Sequence, residues 1–482
     1  MSLKVVLAGH NVDRQALDAH LAGQGEGQSL SPETLSAAYA RISRDPRDVP
    51  ELRADARAEV ETSRRSNKAI IFDMGHSSVA EHAVFNLDVM GISRLAAESL
   101  EQHRLASYTE KSQRYIRLEG DYVLPAELAD DAGMQKAYRM LMDELAECYK
   151  TLAARLTELA RDEGGEGQKR SELESRANED ARYVLPLGAQ AQLGMTVNAR
   201  TLELMIARLA SHPLDELRAL SRALYQAVAD TAPSVVRYTE PTDYFSQTPR
   251  ALRAAAADWL PAPGSRPDLP EVELVACPHE PDLQVAAGLL AASSAQPFSV
   301  CLQAAESAEP DKLRALFAEV FSRMQLWDTL PRAFEMVDFT FELSLSAAAF
   351  AQVKRHRMAT VLAQAYEPRL GRTTPASIER AGLTQDFHLQ LDRCEQVYSR
   401  AMEISPEAAP YCLSNAHRRR ALFKLNGRAL GHFARLRCDR EAQWDIRRIG
   451  HLMVEAAQER MPLAGAFYGG KDCIEDLREK VL

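Results

Sequence analysis

The stretch Gln102–Tyr115 reads QHRLASYTEKSQRY, and the stretch Gln352–Thr360, much later in the chain, reads QVKRHRMAT. A second pair of segments follows in the same order: Asn198–Leu202 reads NARTL and Asn426–Leu430 reads NGRAL. Both pairs are offset by roughly 230–250 residues, and a repeat of that length indicates duplicated domains rather than a solenoid. We therefore expect two related domains in tandem, each carrying a different part of a shared pattern.

Patterns of secondary structure recur in corresponding places of the two halves. The segments Lys4–Leu7 and Glu271–Val275 have the composition of short opening strands. Alternation of apolar and polar residues predicts further strands, and long amphipathic stretches predict helices. These are Ala83–Val89 and Val337–Leu343 for the strands, and Met134–Arg161 and Asp386–Ile404 for the helices. The predicted fold class is α+β, with a small antiparallel sheet and several helices in each copy.

Length and composition agree with two domains. The chain has 482 residues, of which 46% are hydrophobic, and domains of roughly 150–200 residues are the usual size. Prolines cluster between Thr248 and Pro270, which is typical of a linker. We place the first domain at residues 1–247, the linker at 248–270 and the second domain at 271–482.

Charge, cysteine content and hydropathy exclude several classes of protein. A net charge of −10 argues against bulk attraction to nucleic acid, and we interpret the one basic run, His417–Arg420, as a solvated helix face. The seven cysteines include no C-x-x-C pair, which predicts reduced thiols, and no metal site is expected. No apolar run reaches the roughly 20 residues of a membrane span, and the N-terminus lacks the apolar core of a signal peptide. We expect a soluble, cytoplasmic protein.

The two opening stretches resemble different halves of one signature, R-H-R-x-x-S-x-N-E-x-S-x-R-Y, that belongs to the flavin-dependent thymidylate synthases. The first keeps the E-x-S-x-R-Y end but has Gln102 where the first arginine stands and Thr109 where the asparagine stands. The second keeps R-H-R and then departs from the signature. Later segments are similar to the family's A-R-x-V-L-P, N-A-R-x-L and A-Q-W-E-I-R blocks, the last as Ala442–Arg447. The resemblance covers nearly the whole chain in two passes and implies that each copy has the fold of this family.

The resemblance implies a binding site for deoxyuridine monophosphate (dUMP). A dianionic phosphate is bound well by hydroxyl and amide donors together with a forked guanidinium group. Outside this context, an E-x-S-x-R pattern is more often a solvated ion pair in a surface loop. The residues that match the family's nucleotide contacts are Glu110, Ser112, Arg114, Arg182, Gln352 and Arg355.

The resemblance also implies contacts with FAD. Gly75–His82 reads GHSSVAEH and is similar to the family's G-H-x-[ST]-x-x-E-H block, which lies along the flavin. Its counterpart in the second copy, Leu330–Glu335, keeps only the glutamate. The residues implied as FAD contacts are His76, Ser78, Glu81, His103, Arg104, Asn198, Arg200, His356, Arg357, Asn426, Arg428 and His432.

Arg437 matches an arginine that lies beside the pyrimidine in the family. A fixed positive charge at that place stabilises the ionised base and makes its C5 carbon nucleophilic, so we expect Arg437 to be the catalytic residue. Arg208, in the first copy, reaches the same register only if one residue is deleted.

Each copy retains residues that the other has lost. The first keeps Glu110, Ser112, Arg114 and Arg182, and the second keeps Gln352, Arg355 and Arg437. Family active sites lie between the subunits of a homotetramer. The resemblance therefore implies composite sites formed by the two copies, in a homodimer that makes a pseudo-tetramer.

The expected reaction is the reductive methylation of dUMP to dTMP, with methylenetetrahydrofolate as the carbon donor, FAD as the hydride carrier and NADPH as the reductant. Two alternatives remain open. One is an inactive relative that binds flavin or nucleotide. The other is an enzyme of the same fold that acts on another pyrimidine or on nucleic acid. The nucleic-acid version is supported only by the basic run His417–Arg420 together with Lys424 and Arg428.

Overall fold

The computed structural model describes residues 2–24, 29–116, 120–163, 169–261 and 270–481. The chain forms two compact units. The first unit contains Met1–Gly264 and Ala376–Ser414, and the second contains Ser265–Pro375 and Asn415–Leu482. A helix, Asp243–Trp259, covers the first half of the predicted linker, and residues 262–269 of that linker lie outside the described residues.

Helices make up most of the described residues. In the first half of the chain they are α1 (Arg14–Leu21), α2 (Glu33–Arg41), α3 (Val49–Ala58), α4 (Val60–Lys68), α5 (Arg94–Glu101), α6 (Ala132–Glu163), α7 (Arg170–Ala181), α8 (Ala199–Ala210), α9 (Asp215–Val228) and α10 (Asp243–Trp259). In the second half they are α11 (Pro281–Ala292), α12 (Phe298–Glu306), α13 (Pro310–Ser322), α14 (Ala347–Val353), α15 (Ala376–Arg380), α16 (Thr384–Ile404), α17 (Gly427–Arg437), α18 (Trp444–Arg460) and α19 (Ile474–Val481).

Each unit contains one four-stranded antiparallel sheet. The first sheet has the order β1-β2-β4-β3, and the second has the order β5-β6-β8-β7. Corresponding strands of the two copies therefore occupy the same positions in their sheets. The strands are β1 (Lys4–His10), β2 (Val84–Ser93), β3 (Ala106–Glu110), β4 (Gln190–Asn198), β5 (Val272–Ala276), β6 (Asp338–Ser346), β7 (Thr360–Ala363) and β8 (Arg418–Asn426). The predicted α+β class, with a small antiparallel sheet and several helices in each copy, is confirmed.

The central strands follow the alternation read from the sequence. In β2 the side chains of Phe85, Leu87 and Val89 are buried, and in β6 those of Phe339 and Phe341 are buried. Successive side chains of a strand point to opposite faces, so one face of each sheet is covered while the other keeps its polar residues. The core of each unit therefore lies on one side of its sheet.

Equivalent asparagines and serines start the helices that follow the central strands. The side chains of Asn198 and Asn426 accept hydrogen bonds from the first turns of α8 and α17, and Ser93 and Ser346 cap α5 and α14 in the same way. Such caps satisfy amide groups that would otherwise lack a partner at a helix start. Matching caps at matching places support the duplication.

Two equivalent segments of the duplication pack together inside the first unit. Helix α16, from the second half of the sequence, lies against α6, and residues Pro186 and Ser414 form an antiparallel bridge. The amide of Gly188 donates to the carbonyl of Tyr411 over 3.1 Å. A Cβ added at Gly188 would overlap the hydroxyl oxygen of Tyr138, so this approach requires glycine.

The basic run His417–Arg420 is not a helix face, and our interpretation of it was wrong. Arg418 begins strand β8, and His417 is fully buried. The guanidinium carbon of Arg419 lies 4.2 Å from the centre of the Tyr366 ring. Strand geometry places successive residues on opposite faces, so the run presents no continuous cationic surface of its own.

Each of the seven cysteines falls within the described ranges, and all are free thiols. Among the helices of those ranges, none combines the length and the apolar character that crossing a membrane would require.

Candidate functional site

A pocket of about 420 Å³ in the second unit gathers most of the site residues predicted for the second copy. It is formed by the first turns and exposed face of α17, the end of β8 and the loop after α14. Five arginines and two carboxylates line it, so its walls carry an excess of positive charge. The predicted residues that line it are Arg355, His356, Arg357, Asn426, Arg428, His432 and Arg437.

Arg437 is held in place by other predicted residues. Its Nε donates to Nε2 of His356 over 3.0 Å, and its Nη1 donates to Oε1 of Gln352 over 3.3 Å. Gln352 is buried and does not itself line the pocket. The sequence prediction thus brought three residues to one place, but it assigned Gln352 and His356 to ligands rather than to Arg437.

His356 is uncharged. Burial, reinforced by the charge of the neighbouring Arg437, lowers its pKa to about 3. Its ring also packs against the ring of Phe433, with 4.6 Å between centroids. Because Nε2 accepts a hydrogen bond from an arginine, which can only donate, the ring proton must reside on Nδ1.

Arg428 and Arg435 are bound to the loop that forms one wall of the pocket. Arg428 donates to the carbonyl of Leu330 over 2.7 Å and to the hydroxyl of Thr329 over 3.0 Å. Arg435 donates to the carbonyl of Leu326 over 2.9 Å, and also to the carbonyl of Asp328. Arg428 was predicted as a flavin contact. Within this unit its hydrogen bonds tie helix α17 to the loop.

Arg428 also pairs with Glu335, and the first unit repeats this ion pair. The Arg428–Glu335 distance is 2.9 Å, and the corresponding Arg200–Glu81 distance is 2.6 Å. Hydrogen bonding from Arg332, and then from Arg428, lowers the pKa of Glu335. The Arg428–Glu335 pair joins the 3-10 helix Arg332–Met336 to α17, and the Arg200–Glu81 pair joins the 3-10 helix Ser77–His82 to α8. A structural role is therefore common to both copies.

The remaining flavin residues predicted for the first unit lie on several different elements. His76 and Ser78 are exposed, at the start of the 3-10 helix Ser77–His82. The side-chain oxygen of Asn198 caps α8 over 2.8 Å. Arg104 is exposed in the turn between α5 and β3.

His103, the first-copy counterpart of His356, is buried and, like His356, uncharged. Burial lowers its pKa to about 4, and the charge of Arg208 adds to this effect. Its Nδ1 lies 3.0 Å from the carbonyl of Leu100. Arg208 itself lies with its guanidinium carbon 5.4 Å from the centre of the Phe245 ring. The first copy thus keeps a neutral histidine near an arginine.

The nucleotide residues predicted for the first unit do come together, in a cluster of three arginines and two glutamates. Glu110 forms a buried ion pair with Arg94 over 3.2 Å. Arg114 contacts Glu179, with distances of 2.6 Å from Nη2 and 2.7 Å from Nε to the same carboxylate oxygen. The hydroxyl of Ser112 accepts from the amide of Arg114, and Nε of buried Arg182 donates to the carbonyl of Glu179.

The cluster is buried enough to alter the ionisation of its members. Burial raises the pKa of Glu179, although Arg114 and Arg182 oppose that shift. Burial lowers the pKa of Arg182, and the positive charges of Arg94 and Arg114 act in the same direction. Arg94, Arg114 and Arg182 therefore concentrate positive charge beside Glu110 and Glu179, and Asp180 is also close enough to act on Glu179.

Sequence reasoning missed three residues of these sites, and each left a signal. Arg94 stands in the first turn of α5, where a cation opposes the helix dipole and therefore indicates a specific carboxylate partner. Glu179 lies three residues before Arg182, within one helical turn. Arg435 lies seven residues after Arg428, on the same face of α17.

One family model matches both copies of the duplicated domain. The family model described as "Thymidylate synthase complementing protein" matches residues 28–234 and, a second time, residues 278–463. This chain belongs to that family. The two matched segments agree with a tandem duplication of the family's domain.

Relatives within the thymidylate synthase complementing protein family fall into two kinds. A flavin-dependent thymidylate synthase from Clostridium tetani is 32% identical over 216 residues, which cover 44% of this chain and 84% of that protein. A protein of Thermoplasma acidophilum designated UPF0159 is 24% identical over 477 residues and aligns with 89% of this chain and 93% of its own length. The first is similar to a single copy, and the second is similar to nearly the whole chain.

Among solved structures, a flavin-dependent thymidylate synthase from Helicobacter pylori, complexed with FAD and dUMP, aligns with a TM-score of 0.32 at 19% identity. The alignment covers 49% of this chain and 99% of that chain.

Proposed function

We propose that this member of the family is a FAD-dependent thymidylate synthase, which converts dUMP to dTMP with methylenetetrahydrofolate as carbon donor and NADPH as reductant. Family membership and the names of single-copy relatives support the reaction class. The observation that carries the proposal is the convergence of seven predicted site residues on one cationic pocket of the second unit.

The residues of this pocket fit a flavin dinucleotide. Its pyrophosphate requires cationic donors, and the pocket presents five arginines against two carboxylates. Apolar side chains, among them Met358, Leu425 and Phe467, line it as well and suit a flat aromatic ring. Arg357 is exposed at the pocket and would hold the phosphates of FAD, and Arg355, which is also exposed there, would contact dUMP. FAD, when bound, supplies the hydride of the reaction.

Arg437 would stabilise the negative charge that develops on the pyrimidine. Its guanidinium is partly buried and fixed by hydrogen bonds to two side chains. A cation that is already oriented in a site of low dielectric stabilises a developing anion with little reorganisation. The stabilisation grows toward the transition state, so it acts on the rate more than on substrate affinity.

The cluster of the first unit would bind the phosphate of dUMP. Arg114, Arg182 and the hydroxyl of Ser112 would be the donors, and Glu110 pairs with Arg94 in the same cluster. A phosphate dianion would compete with Glu179 for Arg114. The complementary losses in the two copies predict that both arginine sets serve the same reaction.

The test is the release of tritium from C5 of dUMP by the purified protein supplied with methylenetetrahydrofolate and NADPH. We expect flavin absorbance at about one FAD per chain, because the predicted flavin residues are divided between the copies. Arg437→Ala should lower the rate at saturating dUMP by about 100-fold. Arg114→Ala should weaken dUMP binding by roughly 30- to 1000-fold in calorimetry while flavin is retained.

Arg208→Ala is the matched control for Arg437, and it should leave the rate within a few-fold. An essential Arg208 with a dispensable Arg437 would contradict the assignment. Unchanged dUMP affinity in Arg114→Ala would show that the cluster of the first unit does not bind the phosphate.

A second candidate is a relative that binds flavin or nucleotide without turnover. The specific observation in its favour is that Arg428 and Arg437 already donate to protein acceptors. Retention of flavin and dUMP binding without tritium release would establish this candidate in place of the synthase.

A further inference from the structure

The hydrogen bonds around Arg437 continue beyond its immediate partners into the start of helix α18. The amide nitrogen of Gln352 lies 3.5 Å from Oε1 of Gln443. That same oxygen accepts from the amides of Asp445 and Ile446, over 3.1 and 3.3 Å, and so caps the helix. Gln443 is fully buried and Gln352 nearly so. The end of this series is therefore anchored to a rigid element.

The donors and acceptors in this series allow one arrangement of the groups. The guanidinium of Arg437 only donates, so Gln352 must turn its oxygen toward it and its NH2 group away, toward Gln443. For the same reason Nε2 of His356 must be unprotonated. A flipped Gln352 amide, or the other tautomer of His356, would place two donors face to face. The orientation of Arg437 is thus specified from both edges of its guanidinium.

We propose that Gln352, His356 and Gln443 are positioning residues that aim the guanidinium of Arg437, and that Gln443 acts through Gln352. This inference rests on the proposed function of Arg437 and extends it to Gln443, a residue without a predicted role. Gln352 and His356 then serve the reaction through Arg437.

Burial agrees with this role for His356. A ring with a pKa of about 3 remains neutral throughout the physiological range and keeps its acceptor nitrogen available. The carbonyl oxygen of Gln352 provides a further acceptor, 3.4 Å from Nη2 of Arg437. Each of the three guanidinium nitrogens of Arg437 therefore has a protein acceptor.

The first experiment measures the tautomer of His356 without any need for activity. In long-range 1H–15N spectra of the full chain, His356 should be in the Nδ1–H form in the wild type. It should move toward the Nε2–H form, which predominates in free neutral imidazole side chains, in Arg437→Gln. An Nε2–H tautomer in the wild type would overturn the proposal even if the protein proves inactive as a synthase.

The second experiment separates positioning from ligand binding. His356→Phe keeps a ring against Phe433 but removes the acceptor, and we expect kcat to fall by about 10- to 100-fold while KM for dUMP and flavin content stay within a few-fold. Loss of flavin with kcat retained per bound flavin would show that His356 is a flavin contact instead. His451→Phe, at an exposed position on α18, is the matched control and should behave as the wild type.

The third experiment tests the anchor. Gln443→Glu retains the oxygen that accepts from Gln352 and from the helix, so its kcat should be higher than that of Gln443→Leu. Gln443→Leu lacks the acceptor and should lower kcat by about 10-fold or more. Equal kcat values in folded Gln443→Glu and Gln443→Leu would show that Gln443 is not a positioning residue. If Gln443→Leu does not fold, Gln352→Met replaces it in the same comparison, because it removes the acceptor nearest to Arg437.

Discussion

Replacing Arg428 with methionine tests whether this arginine ties the pocket loop to α17. Methionine keeps an apolar stem of similar length and removes the charge and all donors. The arginine makes hydrogen bonds to Leu330 at 2.7 Å, Glu335 at 2.9 Å and Thr329 at 3.0 Å. The side chain is about one third exposed, so solvent weakens each contribution.

The size of the effect follows from these contacts. A hydrogen bond contributes about 0.5–1.5 kcal/mol net, and a partly exposed ion pair contributes about 0–1 kcal/mol. The three contacts together therefore stabilise the attachment of the loop to α17 by about 2–3 kcal/mol. Such a loss corresponds to a roughly 30- to 150-fold increase in the population of molecules in which the loop is detached from α17.

Hydrogen exchange of the peptide that spans residues 324–331 measures this opening directly, since the amide of Asp328 is bonded to Gln325 within the loop. We expect exchange of this peptide to accelerate in Arg428→Met and not in Arg440→Met, whose side chain is 76% exposed. The loop should also loosen in the wild type at acid pH. The pKa of Glu335 is lowered in the folded protein, so its contribution is present above its ordinary value of 4.5 and is lost as the pH falls through the lowered value.

Equal loop exchange in wild type and Arg428→Met would refute the structural role. Loss of FAD from Arg428→Met without faster loop exchange would instead support the direct flavin contact that the sequence predicted.

Two further predictions concern stability. Gly188→Ala should destabilise the first unit by about 1–3 kcal/mol in urea unfolding, because the new methyl group overlaps the hydroxyl of Tyr138. Gly194→Ala in β4, where a Cβ meets nothing within 4 Å, is the control, and a similar loss in both variants would contradict the packing. His103, with its pKa lowered to about 4 from 6.5, binds fewer protons when folded than when unfolded, so it costs stability as the pH falls from 6.5 toward 4, by up to about 1.4 kcal/mol per pH unit. His103→Phe should therefore lose less stability than the wild type between pH 7 and pH 5 in urea unfolding, and an unchanged pH dependence would show that this histidine does not titrate as described.

The local features of the fold were readable from the sequence because they depend on neighbouring residues. Alternation identified β2 and β6, and the motif N-x-R-x-L identified the starts of α8 and α17, where asparagine caps the helix. The offset between the motifs indicated the duplication. The local pattern was misleading for the basic run at Arg418, which we interpreted as a helix face although it lies in strand β8. A run of charged residues does not by itself distinguish a strand from a helix.

The site could be predicted as a set of residues, but not as a set of contacts. The signature named Arg437, His356 and Gln352, and the structure places these three side chains in contact. It did not indicate that they bond to one another, because residues more than 80 positions apart in the chain meet only through tertiary packing. Arg114 and Glu179 are a similar case in the first unit.

The sequence by itself determined the family, the α+β class, the repeat and the identity of most candidate residues, because these depend on short motifs and on the periodicity of apolar side chains. Only the tertiary structure decided what each charged group is bonded to and whether it is ionised. Burial makes His356 neutral and directs its Nε2 to Arg437, and the fold joins Arg428 to Glu335 and to the loop before it. The reason is that desolvation and hydrogen-bond geometry depend on everything packed around a group, and that surrounding is assembled from distant parts of the chain.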